Sequence, residues 1–109
     1  MKKALSFVFC MGFLLTSKVA YADVAQLTTL MQRNNCLACH MVDKRKYGPH
    51  MKEVAAKYAG NAAVTDQLAA KIKAGGAGVW GSDMMPPQPH VTDENAKLMA
   101  RLILGLDTS

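Results

Sequence analysis

The sequence predicts an all-α domain carrying two long irregular segments. Apolar residues recur at helical spacing in four stretches, no stretch alternates convincingly with period two, and Gly and Pro gather between those stretches. The chain has 109 residues, 50% of them hydrophobic, with 13 Lys+Arg against 8 Asp+Glu and a formal net charge of +5, enough for one domain without internal repeats.

Residues 1–22 stand apart from that domain. Lys2 and Lys3 precede an apolar run from Ala4 to Leu15, Thr16, Ser17 and Lys18 follow, and Ala20-Tyr21-Ala22 supplies the small-x-small cleavage pattern of an export signal. Spanning a bilayer needs about 20 apolar residues, so the run predicts no membrane anchor. The expected organisation is a cleaved signal over 1–22 and one exported domain over 23–109, beginning at Asp23. Cleavage removes Lys2, Lys3 and Lys18 and no acid, lowering the charge from +5 to +2 and with it the case for nucleic-acid binding. Cys10 leaves as well. Phe7 and Phe9 stand where a lipoprotein signal wants small or aliphatic residues, which argues against lipidation.

The first helix is expected from Val24 to about Asn34, with Asp23 as cap, Gln26 completing a capping box, and Val24, Leu27 and Leu30 or Met31 on its inner face. A second starts near His50 or Met51, carries Met51, Val54, Ala55 and Tyr58 at i, i+3, i+4 and i+7, and stops at Gly60. The third spans about Ala62 to Ala74, with Val64, Leu68, Ala69 and Ile72 inward and Gly75-Gly76 ending it. The last follows Thr92 as N-cap, with Asp93 and Glu94 suiting the helix dipole. It presents Ala96, Met99, Ala100 and Ile103 inward and runs to about Leu104 before Gly105. Cys39 to Pro49 and Gly75 to His90 escape the helical pattern, and the second is long for so small a domain, as functional loops are.

A domain of this size often recruits a metal, disulfides or a cofactor to complete its core. Beyond residue 22 the aromatic residues are only Tyr47, Tyr58 and Trp80, so something else is expected to fill the middle. Cys36-Leu37-Ala38-Cys39-His40 is a C-x-x-C-H motif, the attachment signature of c-type haem. Thiols three positions apart can reach two vinyl groups on one porphyrin edge and form thioethers, and the next residue, His40, can supply the proximal imidazole. A zinc site would want a second pair of ligands, and a thioredoxin-like pair would want a βαβ scaffold; neither is in the sequence.

An electron-carrying haem iron needs a sixth ligand, and a thioether there raises the potential. Met31, Met51 and Met99 lie on apolar helix faces and are read as core, while Met41 is too near His40 to cross the haem. Met84 and Met85 remain, in a loop stiffened by Pro86-Pro87; spacing alone does not choose between them.

Cys36-x-x-Cys39-His40, Gly48-Pro49 followed by Lys52-x-Val54-Ala55-Ala56-Lys57-Tyr58-Ala59-Gly60, then Gly78-Val79-Trp80-Gly81 and Met85-Pro86-Pro87 together resemble the small bacterial class I monohaem cytochromes c, across essentially the whole of 23–109. The resemblance implies a cytochrome c fold of about four helices around one haem c, bound through two thioethers. It implies Met85 as axial ligand with His40, the Pro49 carbonyl as acceptor for the His40 ring proton, and Trp80 as donor to a haem propionate. Lys71 falls where relatives often carry a basic residue near that propionate, and Gln88 where they often place Asn beside the Met sulfur. The implied function is a periplasmic one-electron carrier between respiratory complexes and a terminal nitrite reductase or oxidase. It is expected not to be an enzyme and to be monomeric, with transient redox partners and no nucleic acid. The competing readings are a haem peroxidase or gas-binding cytochrome with an open sixth position, and a dedicated subunit of a reductase complex. Lys44-Arg45-Lys46 reads chiefly as a solvated run, with partner steering as the alternative. His50 and His90 read as residues at helix starts and loop ends rather than as iron ligands.

Overall fold

A computed structural model describes residue 12, residues 19–59 and residues 61–109; the expected signal over 1–22 lies mostly outside these, and so does Gly60 as the stop of the second helix. Among the described residues there are four α-helices: α1, Val19–Arg33; α2, Met51–Lys57; α3, Thr65–Ala74; and α4, Asp93–Leu104. Single 3-10 turns at Cys36–Ala38 and Ala62–Val64 precede the loop to α2 and the start of α3. No strand forms among the described residues, and the one extended pairing is an isolated antiparallel bridge between Gly76 and Met85.

The start of α1 corrects the expectation. The helix begins at Val19, so Asp23 is an interior residue and forms no capping box with Gln26. Val19-Ala20-Tyr21-Ala22 holds no Gly or Pro, and its alanines favour the helix, so nothing stops the backbone from winding through Asp23. The other starts fall where expected: His50 caps α2 and Thr92 caps α4. The third expected helix divides at Val64–Thr65 into a 3-10 turn and α3.

Helix α4 organises the core, packing against α1, α2 and α3. Its inward face, Ala96, Met99, Ala100 and Ile103, is buried as the spacing predicts. Ala96 and Ala100 are small and one turn apart, which lets neighbouring backbones come close. Leu27 and Met31 of α1, Met51 and Val54 of α2, Ala69 of α3 and Val91 ahead of α4 complete the cluster. Two polar devices fix where α4 starts. The Thr92 hydroxyl accepts the Asn95 amide at 3.1 Å, and the Lys73 ammonium of α3 pairs with the Asp93 carboxylate. That hydrogen bond, with the cation's field, holds the Asp93 carboxyl below its ordinary range. The pairing therefore persists at neutral pH and is lost as pH falls through that lowered value.

Thr92→Ala should lower stability by about 1 kcal/mol, because it strips an amide donor of its cap. Urea titration should show a lower midpoint at unchanged slope.

Candidate functional site

The helices and the two loops enclose a cleft of about 720 Å³, walled by the core side chains Met31, Met51, Val54, Met99 and Ile103. Cys36, Cys39, His40, Pro49, Trp80 and Met85 all line this one cleft. Met31, Met51 and Met99 are buried, in keeping with their reading as core.

The Cys-x-x-Cys-His turn is built by backbone conformation. α1 ends at Arg33, and Asn35 then takes a left-handed conformation (φ 62°, ψ 22°), a region that Asn tolerates better than most residues. That reversal throws the chain into the 3-10 turn at Cys36, whose carbonyl accepts the amides of Cys39 (3.2 Å) and His40 (3.0 Å). Both sulfurs are half-buried and are not joined to each other. Burial pushes the Cys36 thiol above its ordinary value, favouring the protonated form. The Gly48 amide donates to the Cys39 carbonyl at 2.8 Å and closes the loop against the turn.

His40 is oriented by its neighbour across that closure. Its Nδ1 lies 2.8 Å from the Pro49 carbonyl oxygen. A carbonyl can only accept, so Nδ1 carries the proton and Nε2 is left with its lone pair free for a metal. Gly48 makes the approach possible: a Cβ there would lie 2.8 Å from His40 Nδ1 and 3.1 Å from Nε2. The sequence offered the Gly48-Pro49 pair but no sign that its glycine is the floor under an imidazole. Gly48→Ala should displace the ring and cost about 1–3 kcal/mol of stability by overpacking. Thermal unfolding together with the ring-proton resonance of His40 would check both effects.

The second loop is folded back on the end of α3. Gly75 (φ 67°) and Gly76 (φ 123°) take backbone conformations that L side chains avoid. A Cβ on Gly75 would run into the Met85 and Pro86 backbone, 2.8 Å from the Pro86 oxygen. Gly76 and Met85 exchange two hydrogen bonds, at 2.8 and 2.9 Å, and the Gln88 amide donates to the Lys73 carbonyl at 2.7 Å. Met85 is thus clamped at both its amide and its carbonyl and is partly covered, whereas Met84 is 67% exposed. The Gln88 side chain is turned to its own loop, donating to the Pro86 oxygen at 2.9 Å. Lys71 lines the cleft close to Gly76. Trp80 packs against the core with the Lys57 ammonium 5.4 Å from its ring centre.

The basic run is exposed throughout, as its solvated reading expects, yet two of its cations also bond to the fold. Arg45 donates to Glu53 Oε1 at 3.1 Å and to the Trp80 carbonyl at 3.0 Å, while Lys46 donates to the Leu37 carbonyl at 3.2 Å. These contacts cross up to 35 positions of sequence, which local composition cannot reveal. His50 and His90 do not line the cleft. His50 faces Glu53, and His90 donates from Nε2 to the Asn34 carbonyl at 3.0 Å.

Paired thiols, an imidazole nitrogen made available by a carbonyl, and a clamped thioether around a largely apolar cleft form the donor set that c-type haem requires. The comparisons agree with that chemistry. A family model described as cytochrome c matches residues 24–107. Cytochrome c-552 of Nitrosomonas europaea is 43% identical over 106 residues, covering 97% of this chain and 99% of its own length. Cytochrome c-551 of Azotobacter vinelandii is 51% identical over 75 residues, 69% of this chain and 90% of that protein. The crystal structure of wild-type Nitrosomonas europaea cytochrome c552 aligns with a TM-score of 0.71 at 46% identity, over 73% of this chain and 99% of that one.

Proposed function

This chain belongs to the cytochrome c family, and from that premise we propose a periplasmic carrier that moves electrons from a respiratory donor to a terminal reductase or oxidase. As a family member it is a haem-based electron carrier with one covalently attached haem c, and not an enzyme. The bound haem supplies a one-electron couple between Fe(II) and Fe(III).

The residues of the chain divide the remaining work. Cys36 and Cys39 hold the haem by thioethers, so a small domain keeps a cofactor that it cannot fully enclose. His40 offers Nε2 as the proximal ligand, and the Pro49 carbonyl fixes the tautomer that makes this possible. Met85 would give its thioether to the iron that His40 also holds, and with both donors engaged no position would remain for substrate chemistry. Trp80, which lines the same cleft, would give its indole proton to a haem carboxylate. The observation that carries this reading is the double clamp of Met85 to Gly76 in the same cleft as a pre-oriented His40.

The export signal over 1–22 supports the periplasmic location, and no helix among the described residues is long and apolar enough to cross a membrane. Partners meet a monomer transiently, through contacts under about 1,200 Å² as is usual for electron-transfer encounters. The surfaces around Gly78, Met84 and Pro87 and around Cys36 and Ala38 form that contact. Purification from a periplasmic extract tests the reading. The mass should equal the chain from Asp23 plus one haem, with no free thiol, and carbon monoxide should leave the reduced spectrum unchanged. Retention of residues 1–22 or free thiols at Cys36 and Cys39 would overturn it.

A further inference from the structure

We propose that Glu53 is a positioning residue for the redox site, gripping the Trp80 segment through Arg45 and the Pro49 segment through His50. The inference rests on the reading of His40 and Trp80 given above. Glu53 lies on the first turn of α2, and its two carboxylate oxygens face different partners. Oε1 accepts from Arg45 Nη1 at 3.1 Å, and the other arm of the same guanidinium donates to the Trp80 carbonyl at 3.0 Å. Oε2 lies 3.2 Å from His50 Nδ1, an ion-pair distance without hydrogen-bond geometry, so both atoms are shut off from solvent and neither has a hydrogen-bond partner. Closing that pair into a hydrogen bond requires the proton on Nδ1, because a carboxylate only accepts.

His50 follows Pro49 directly, and its carbonyl accepts the Val54 amide at 3.2 Å, anchoring it to α2. The Pro49 carbonyl takes the His40 ring proton at 2.8 Å. One carboxylate is therefore bonded toward the Trp80 loop through Arg45 and stands within reach of the Pro49 segment through His50, although none of these three side chains lines the cleft itself. The Arg45–Glu53 pair is half exposed on the arginine side, so its value as a surface ion pair is small. Its geometric role is different: a two-armed guanidinium fixes the separation of the two elements it bonds.

Hydrogen exchange of the His40 ring proton and the Trp80 indole proton, followed by NMR in the reduced holoprotein, tests this division. Arg45→Met should speed exchange at Trp80 alone, and His50→Leu at His40 alone. Glu53→Ala should speed both by about three- to tenfold, the range expected on losing hydrogen bonds to a partly exposed charged group. Glu53→Gln keeps an acceptor for Arg45 and should restore part of the Trp80 protection. Unchanged exchange at both protons in Glu53→Ala, with lower thermal stability only, would overturn the positioning role and leave the reading of the site intact. If the wild-type holoprotein itself gives no protected His40 ring proton, the reading of the proximal ligand fails, and this inference with it.

Discussion

Met85→Ala is expected to open the sixth coordination position while leaving the fold in place. The thioether favours the reduced iron, so its loss should lower the potential on the order of 0.1 V or more, within the about 0.8 V that axial ligands command. The sulfur-to-iron charge-transfer band should vanish and carbon monoxide should bind the reduced protein. The backbone supports this choice of methionine. Met85 exchanges two hydrogen bonds with Gly76, whereas the neighbouring side chain of Met84 is 67% exposed. Met84→Ala should therefore keep the band and barely move the potential. The reverse pattern in absorption spectra and redox titration would identify Met84 as the ligand, with the loop in a shifted register. If neither variant matters, the sixth ligand is another group altogether.

Replacing both Cys36 and Cys39 by Ala should leave a chain that neither retains haem in acid acetone nor folds at room temperature. The cleft measures about 720 Å³. Without haem its largely apolar walls would stand open to water, a loss of burial that so small a core cannot spare. Small domains have only about 5–15 kcal/mol in total. The double variant should show little helix by far-UV circular dichroism, and each single variant a weakly held haem. A double variant with native helix content would mean that the protein core suffices by itself.

The helices were legible wherever local chemistry decides them. Thr92 ahead of Asp93 and Glu94, with the Ala96–Met99–Ala100–Ile103 stripe, located both the start and the buried face of α4. Cys36-x-x-Cys39-His40 was equally plain, because three residue types at fixed spacing already state the chemistry. The cap assigned to Asp23 was not formed, since a capping residue caps only where the preceding backbone is non-helical, and here it is helical from Val19. The bonds of Arg45 could not be read at all: whether a long cation is solvated or tied to a carbonyl 35 positions away depends on the completed fold. Asn35 lies between these cases. Its left-handed backbone is compatible with Asn but not announced by it.

The attachment of the second loop to α3 bears on how the protein opens. The last carbonyls of a helix normally turn to water, but here the Lys73 carbonyl is taken by the Gln88 amide from beyond Met85. The end of α3 and the segment that presents Met85 therefore share a boundary, and neither can detach without stripping bonds from the other. Local fluctuations should accordingly release them as one cooperative unit rather than as a loose loop on a rigid helix. Amide exchange at Gly75, Met85 and Gln88 should converge on a single opening free energy. If Met85 holds the iron as proposed, release of its sulfur would then be an event of that whole unit.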